Sequence, residues 1–253
     1  MPTSLQSSTP AAASYDAVVA GHICLDVIPD MSASSSAKLE DILAPGHLTV
    51  VGPAALSTGG AVSNTGLALN KLGIRTRLMG KIGDDLFGRA VQGLVSRYAA
   101  ELAEGMIVDP RDTTSYTLIV NPPNIDRIFL HCPGANDTFR ASDVRYDLVD
   151  QVRLFHFGYP PLMRRMFLDG GAELVDIFSR VKALGVTTSL DMSFIDPNSA
   201  AGRADWRAIL HATLPYVDIF LPSVEELLSA LHPDTYQTLA RQTPGTEYIS
   251  PTL

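Results

Sequence analysis

Strand-like and helix-like segments alternate along this chain, and that alternation limits the folds it can adopt. Short apolar runs at 15–20, 76–80 and 186–191 are separated by stretches whose apolar residues recur at helical spacing, as at 61–72. Strands joined through helices pair in parallel, because only a long crossover returns the chain to the same edge of a sheet. The pattern therefore predicts an α/β protein with a mostly parallel sheet and helices on both faces.

One region interrupts this alternation. Two β-type runs at 115–120 and 127–131 are joined by the sequence NPPNID, and its two prolines exclude a central strand there. These runs predict a hairpin inserted between α/β units. The remaining predicted elements are a further short strand at 47–51, strands at 152–159 and 217–222, and helices at 87–98, 170–184, 205–212 and 223–231.

The two ends of the chain differ from its middle. Residues 1–14 are small and polar and lack an apolar core, so they predict a disordered tail rather than a secretory signal. Residues 31–37 read as a serine-rich loop. The main domain is predicted over 15–232, followed by an irregular tail at 233–253. Because parallel sheets rarely stop in this way, we expect the chain to be incomplete.

Composition excludes several classes of partner. The 253 residues carry a net charge of −8 and no basic run, which argues against binding to nucleic acid. No run of about 18 apolar residues occurs, so no membrane span is expected. The two cysteines, Cys24 and Cys132, lie far apart without a C-x-x-C pattern. They are interpreted as packing residues of a reduced, cytoplasmic protein.

A glycine-rich segment at 57–88 contains the clearest candidate ligand site. Gly59 and Gly60 precede a predicted helix, and Asn64 lies in its first turn. Glycines let the backbone approach a ligand closely, and the free N–H groups of the helix start face the same place. Asp26, just after the first strand, either accepts hydrogen bonds from sugar hydroxyls or caps a turn. Spacing alone does not separate these two interpretations.

Other familiar motifs are absent from the sequence. No G-x-G-x-x-G follows the first strand, which weakens a dinucleotide-dependent enzyme as an alternative. No Walker-type phosphate loop occurs in the sequence. No cluster of Cys and His occurs either, so a structural zinc site is not expected. His131 and His156 lie singly in apolar strands and are interpreted as core or cleft residues rather than metal ligands.

The glycine pair alone is a weak signal, but together with a second turn, Gly83-Asp84-Asp85-x-x-Gly88, it forms a specific pattern. The two together resemble the first signature of the ribokinase-like carbohydrate kinase family, the PfkB type. Further matches over 15–232 are Asp26 after the first strand, the Gly-Ala-Asn triplet at 134–136, Asp191 at a strand end, and the sequence LPSVEE around Ser223 and Glu226.

This resemblance implies a fold and an activity. Such proteins transfer the γ-phosphoryl group of ATP, with Mg²⁺, to a hydroxymethyl group of a sugar or nucleoside. The fold implied is a three-layer α/β/α sandwich with a small β-sheet lid, here near 27–51 and 113–132. A lid matters because phosphoryl transfer must exclude water. A homodimer formed through the lid is a further expectation.

The resemblance also assigns roles to individual residues. The substrate would be held by Asp26, Gly59, Gly60, Asn64 and Asn136. The cofactor would be held by Asp191, Ser223 and Glu226, with Glu226 ordering the water shell of Mg²⁺.

The sequence departs from the family pattern at three places. Ser223 replaces the asparagine of a P-N-x-x-E motif, and Ser223-x-x-Glu226 is equally a helix capping box. Ala61 stands where some relatives carry a lysine. The D-T-x-G-A-G-D motif, which holds the family's catalytic Asp, has no counterpart, since Asp234-Thr235 is followed by Tyr236 and no glycines.

Because that motif is absent, no catalytic residue is assigned and this chain alone is expected to be inactive. Two hypotheses follow: the sugar-binding part of a kinase whose chain is cut short, or a non-catalytic sugar-binding or regulatory relative.

Overall fold

The computed structural model describes residues 15–32, 39–42, 44–123 and 126–242. Its strands, in chain order, are β1 Ala17–Gly21, β2 Cys24–Pro29, β3 Ala54–Gly59, β4 Thr76–Met79, β5 Lys81–Gly83, β6 Ile107–Asp109, β7 Tyr116–Val120, β8 Ile128–Cys132, β9 Leu154–Gly158, β10 Thr187–Leu190 and β11 Ile219–Phe220. Its helices are α1 Leu39–Ile42, α2 Ala61–Lys71, α3 Leu86–Ser96, α4 Tyr146–Val149, α5 Ala172–Ala183, α6 Trp206–Thr213, α7 Val224–Leu231 and α8 Pro233–Gln242.

A parallel central sheet, in the order β11-β10-β9-β1-β4, forms the middle layer. Alternate residues of β1 face opposite sides, as the period of two in a strand requires. Val18 and Ala20 pack with α5 and α6, whereas Val19 packs with α2 and α3. Helices therefore cover both faces, and the predicted three-layer α/β/α arrangement with a mostly parallel sheet is confirmed.

A second sheet, in the order β3-β2-β7-β8, stands beside the central one. Strands β7 and β8 form the antiparallel hairpin predicted from the two β-type runs, with Thr117 opposite His131. The inner pair β2 and β7 is parallel, with Asp26 opposite Thr117. We refer to these four strands as the lid sheet. Strand β2 overlaps the start of the predicted lid segment at 27–51, and β3 begins after its end.

Two predicted elements were wrong. No strand forms at 47–51, because Leu48 and Val50 are exposed there (88% and 81%) and no neighbouring strand pairs with them. The predicted irregular tail instead begins with α8, whose Pro233 and Asp234 are residues that favour a helix start. The predicted tails at 1–14 and 243–253, and most of the loop at 31–37, lie outside the described residues.

None of the helices in the described ranges is long and apolar enough to cross a bilayer.

A buried lysine ties the root of the lid sheet to the rest of the fold. The Lys81 side chain is 5% exposed, and its Nζ lies 3.4 Å from Asp109 Oδ2, 3.0 Å from Asp112 Oδ2 and 3.5 Å from Asp143 Oδ2. It also donates to Thr138 Oγ1 at 2.9 Å. These partners come from two stretches of the chain, at 109–112 and 138–143, so one ammonium group joins β5 and the end of β6 to the turns that follow β8.

We predict that Lys81→Met destabilises the fold by about 2 kcal/mol, because it leaves three partly buried carboxylates without their shared cation. Urea unfolding at neutral pH measures this change. Arg89→Met is the control, because the pair of Arg89 with Asp84 is exposed (59% and 64%) and should contribute less than about 1 kcal/mol. Equal losses for the two variants would contradict the assigned role of Lys81.

Candidate functional site

A cavity of about 330 Å³ lies between the start of α2 and the lid sheet. It brings together four of the five predicted substrate residues, which come from β2 and from the junction between β3 and α2. Its lining consists of His22, Cys24, Asp26, Gly59, Gly60, Asn64, Thr117, Ile119, Phe129, His131, Tyr159 and Leu162.

Asp26 lies within β2 and not in a loop after the first strand, so the turn-capping interpretation is wrong. In the lid sheet it stands opposite Thr117, which in turn stands opposite His131. Directly opposed residues share one face of a sheet, so these three polar side chains form a row along the cavity wall. Asp26 Oδ1 accepts a hydrogen bond from Cys24 Sγ at 3.3 Å, and Thr117 Oγ1 lies 3.0 Å from His131 Nδ1.

The glycine pair is required by close approach and by backbone geometry. A Cβ on Gly59 would lie 2.4 Å from Asp26 Oδ2, so any side chain there would displace the carboxylate. Gly60 has φ 88° and ψ 167°, a region that essentially only glycine occupies, and a Cβ there would lie 2.4 Å from His22 Nδ1. The pair thus sets two polar groups, Asp26 and His22, directly against the start of α2.

His22 is the least expected member of the cavity. It is 2% exposed, and neither of its ring nitrogens has a hydrogen-bond partner. Burial lowers the pKa of His22 to about 3, so the ring is neutral. Its centroid lies 5.3 Å from that of His131 and 6.2 Å from that of Tyr159. Tyr159 has φ 63°, an uncommon backbone conformation of the kind that clusters at functional sites.

Sequence reasoning missed His22, Thr117 and Tyr159 as cavity residues. His131, which it placed in the core or a cleft, lies at the exposed rim. A weak signal existed for His22, because it directly follows the glycine that ends β1, at the edge of the sheet where α/β proteins place ligands. Nothing local marks Thr117 or Tyr159, whose positions depend on strand pairing and on the turn after β9.

Asn136 does not line the cavity, which corrects its predicted placement with the substrate residues. It is buried with 0% exposure. Its Nδ2 donates to the Ile23 carbonyl at 2.9 Å, and its Oδ1 accepts from the Ile23 N–H at 3.2 Å. Both polar groups of the side chain are therefore used to hold the backbone between β1 and β2. Asn136 positions the site without facing it.

The Gly-Asp-Asp-x-x-Gly turn also has a structural role. Asp85 caps α3 by accepting from the Gly88 N–H at 2.7 Å. The same carboxylate accepts from the N–H of Thr114 at 2.8 Å and from its Oγ1 at 2.7 Å. Thr114 lies just before β7. The turn therefore fixes the root of the lid hairpin to the start of a helix.

Asp191 lines a second cavity, of about 400 Å³, on the other side of α2. It lies just past the end of β10, and its carboxyl is half-buried. Burial, together with the nearby negative charge of Glu226, raises the pKa of Asp191 to about 6. The lining of this cavity consists of Thr65, Leu69, Leu154, His156, Ser189, Asp191, Ile219 and Leu221.

The predicted capping box at the start of α7 is confirmed. Ser223 Oγ accepts from the Glu226 N–H at 3.2 Å, and the Ser223 N–H donates to Glu226 Oε2 at 2.7 Å. Glu226 therefore serves the helix start and, through its charge, acts on Asp191. Within the described parts of the chain, no group of three or more His, Cys, Asp or Glu side chains is arranged to hold a metal ion.

Solved structures share this fold at low sequence identity. A fructokinase from Xylella fastidiosa with bound ATP is 17% identical, with a TM-score of 0.65, covering 89% of this chain and 64% of that one. A ribokinase from Arabidopsis thaliana complexed with ribose and ATP is 15% identical, with a TM-score of 0.62, covering 90% of this chain and 68% of that one. At this identity the likeness establishes the fold.

Sequence relatives are similar over a shorter region. Fructokinase-2 of Solanum lycopersicum is 28% identical over 140 residues, which is 54% of this chain and 39% of the relative. Fructokinase-2 of Oryza sativa subsp. japonica is 28% identical over 151 residues, covering 58% and 41%. The matched region thus spans about two fifths of these relatives.

A model of the pfkB family of carbohydrate kinases matches residues 16–245, which includes both cavities and the lid sheet. The chain therefore belongs to the pfkB carbohydrate kinase family.

Proposed function

We propose that this chain forms the sugar-binding part of an ATP-dependent carbohydrate kinase. The reaction transfers the γ-phosphoryl group of ATP to a hydroxymethyl group of a sugar or nucleoside. The observation that carries this proposal is the cavity that gathers Asp26, Gly59, Gly60 and Asn64 under the lid sheet. Family membership over most of the chain supports it.

The cavity has the chemistry needed to hold a polyol. The carboxylate of Asp26 accepts hydrogen bonds from two hydroxyls, and the amide of Asn64 both donates and accepts. The glycine pair allows the sugar to approach the backbone at the start of α2. The lid sheet covers the site on one side, so that water is excluded when the sugar is bound. The cavity between α2 and the lid sheet would thus position the hydroxymethyl group that accepts the phosphoryl group.

Asp191, Ser223 and Glu226 are proposed to face the ATP side. ATP, bound with Mg²⁺, supplies the phosphoryl group and the neutralising cation. The chain's own electrostatics fit a cation there, because the mutual repulsion of Asp191 and Glu226 raises the pKa of Asp191 beyond the effect of burial. Glu226 would hold the water shell of Mg²⁺ through the oxygen that the capping box leaves free. Ser223 acts mainly as the cap.

A second candidate is a non-catalytic sugar-binding or regulatory relative. The observation that favours it is the lack of the D-T-x-G-A-G-D motif anywhere in the 253 residues, although the sugar cavity is formed. The coding sequence downstream of Leu253 distinguishes the two candidates. A reading frame that encodes G-A-G-D there supports the kinase, and its absence supports the relative.

We further propose that the protein is cytoplasmic and forms a homodimer through the lid sheet. Leu56 and Leu130 are exposed (50% and 52%) and lie in register on the face of that sheet opposite Asp26, and apolar side chains exposed on one sheet face favour an interface. The two cysteines within the described ranges form no disulfide, as a reducing compartment requires.

We predict that the chain binds a neutral sugar without phosphorylating it, and that Asp26→Ala weakens binding by about ten- to a hundredfold. This range is the effect of losing hydrogen bonds to a charged acceptor. Isothermal titration with fructose, ribose and adenosine measures binding, and release of ADP measures transfer.

Asp30→Ala is the matched control, because Asp30 follows the same strand but is exposed and does not line the cavity. Binding that survives Asp26→Ala would contradict the assigned site. Sugar phosphorylation above background would contradict the proposed division of the site between this chain and the missing motif.

We also predict that Asp191→Asn stabilises the protein above about pH 6 by roughly 1–2 kcal/mol, and that the gain vanishes below about pH 4. A carboxyl whose folded pKa is raised stabilises the fold at low pH, and this contribution is lost as the pH rises through the folded value. Asparagine removes the ionisation. Thermal unfolding across this pH range measures the difference, and the exposed Asp150→Asn should show none.

A further inference from the structure

The wall of the sugar cavity carries a specific balance of charge. Asp26 is its acidic side chain, and no Lys or Arg appears among the described residues that line it. Its two histidines are His22 at the floor and His131 at the rim. A cavity that bound an anionic sugar would need a fixed cation or several free N–H donors to replace the water lost from the anion.

His22 has unused hydrogen-bonding capacity. Both ring nitrogens are buried without a partner, and an unsatisfied buried polar group lowers folding stability. Packing against Gly60 on one side and against His131 and Tyr159 on the other fixes the ring in place. A neutral imidazole has one N–H donor on one ring nitrogen and one acceptor on the other, and a hydroxyl group, which both donates and accepts, can bind at either nitrogen.

We propose that His22 binds a hydroxyl of the substrate and that this cavity selects uncharged polyols against phosphorylated or carboxylated sugars. This inference rests on the proposed sugar-binding function and narrows its substrate class. Asp26 contributes to the selection by repelling an anion, while His22 contributes by offering an unpaired ring nitrogen to a hydroxyl without carrying a positive charge.

The low pKa of His22, about 3 because of burial, supports the same conclusion. At neutral pH the ring carries no positive charge with which to neutralise a phosphate or carboxylate. An anion placed beside it would also lie near the carboxylate of Asp26, in a site with less water than the surface. Both effects act against an anionic ligand and leave a neutral one unaffected.

One arrangement could still admit a phosphate group. A larger cavity of about 630 Å³ adjoins the sugar cavity, shares Phe129, His131 and Leu162 with it, and contains Arg164. The same cavity is also lined by Asp137 and Asp196, whose negative charges weaken its attraction for an anion. The test must therefore distinguish a phosphate that reaches Arg164 from one that is excluded.

The first experiment compares neutral and anionic ligands on the unmodified chain. Isothermal titration with fructose, fructose 1-phosphate and fructose 6-phosphate, and with ribose and ribose 5-phosphate, places a phosphate at either end of the sugar. We expect each ester to bind at least about a hundredfold more weakly than its parent sugar. Esters that bind as tightly as their parents overturn the proposal, and loss of that binding in Arg164→Ala would assign the phosphate to the adjoining cavity.

The second experiment tests His22 directly. We expect His22→Leu to weaken binding of the neutral sugar about tenfold while keeping or raising the melting temperature, because it removes a hydrogen bond to the ligand and also two unsatisfied polar atoms. A purely structural histidine would show the opposite pattern. His22→Gln retains a donor and an acceptor and should recover part of the affinity, and the exposed His211→Leu is the control.

Failure of this proposal and failure of the proposed function are distinguishable. Unchanged sugar affinity in His22→Leu, or a loss of affinity explained by unfolding, overturns the role of His22 while the sugar site stands. Absence of binding for every neutral and anionic sugar overturns the sugar-binding function and this inference with it.

Discussion

The short crossing between the two sheets is the constraint on which the site depends. Only His22 and Ile23 separate the end of β1 from the start of β2, so the chain changes sheets within two residues. Asn136 holds both backbone groups of Ile23, and Gly60 packs against His22. Because Asp26 follows three residues later on a paired strand, its position is fixed by this crossing. A shift there would move the Asp26 carboxylate relative to the start of α2.

The lid sheet is anchored at its root by two polar networks that sequence spacing does not reveal. Asp85 joins the start of α3 to Thr114, and Lys81 joins three carboxylates to Thr138. Both lie at the base of the hairpin, whereas its far strand β8 carries exposed Phe129 and Leu130. Since stability in a protein is not uniform, this distribution favours a rigid base with a more easily opened far edge. Under the proposed function, such a lid would admit a sugar without losing the geometry around Asp26.

The sequence predicted those features that local pattern determines. The alternation of elements, the hairpin and the glycine pair were all readable, because each depends on neighbours within a few residues. Asn136 was expected among the substrate-binding residues, and its contact with the backbone of Ile23 could not be predicted locally because the two residues are 113 positions apart. Asp26 was expected in a loop because its strand exists only through pairing with β3 and β7. The predicted strand at 47–51 was wrong because a strand also depends on pairing: apolar residues without a neighbouring strand do not form a sheet.

Unsatisfied groups on both sides of α2 connect folding stability to function. His22 lacks partners in the sugar cavity, and His156 Nε2 lacks one beside Asp191 in the second cavity. The Asp191 carboxyl is itself raised in pKa by burial, so ionising it at neutral pH costs folding free energy. The N-terminal part of α2 separates the two cavities, with Gly60 lining one and Thr65 the other. A fold that leaves polar groups unpaired on both sides of one helix start is less stable than it could be. Ligands that form hydrogen bonds with these unpaired groups would recover the lost folding free energy. A ligand in each cavity would then approach the other at the start of α2.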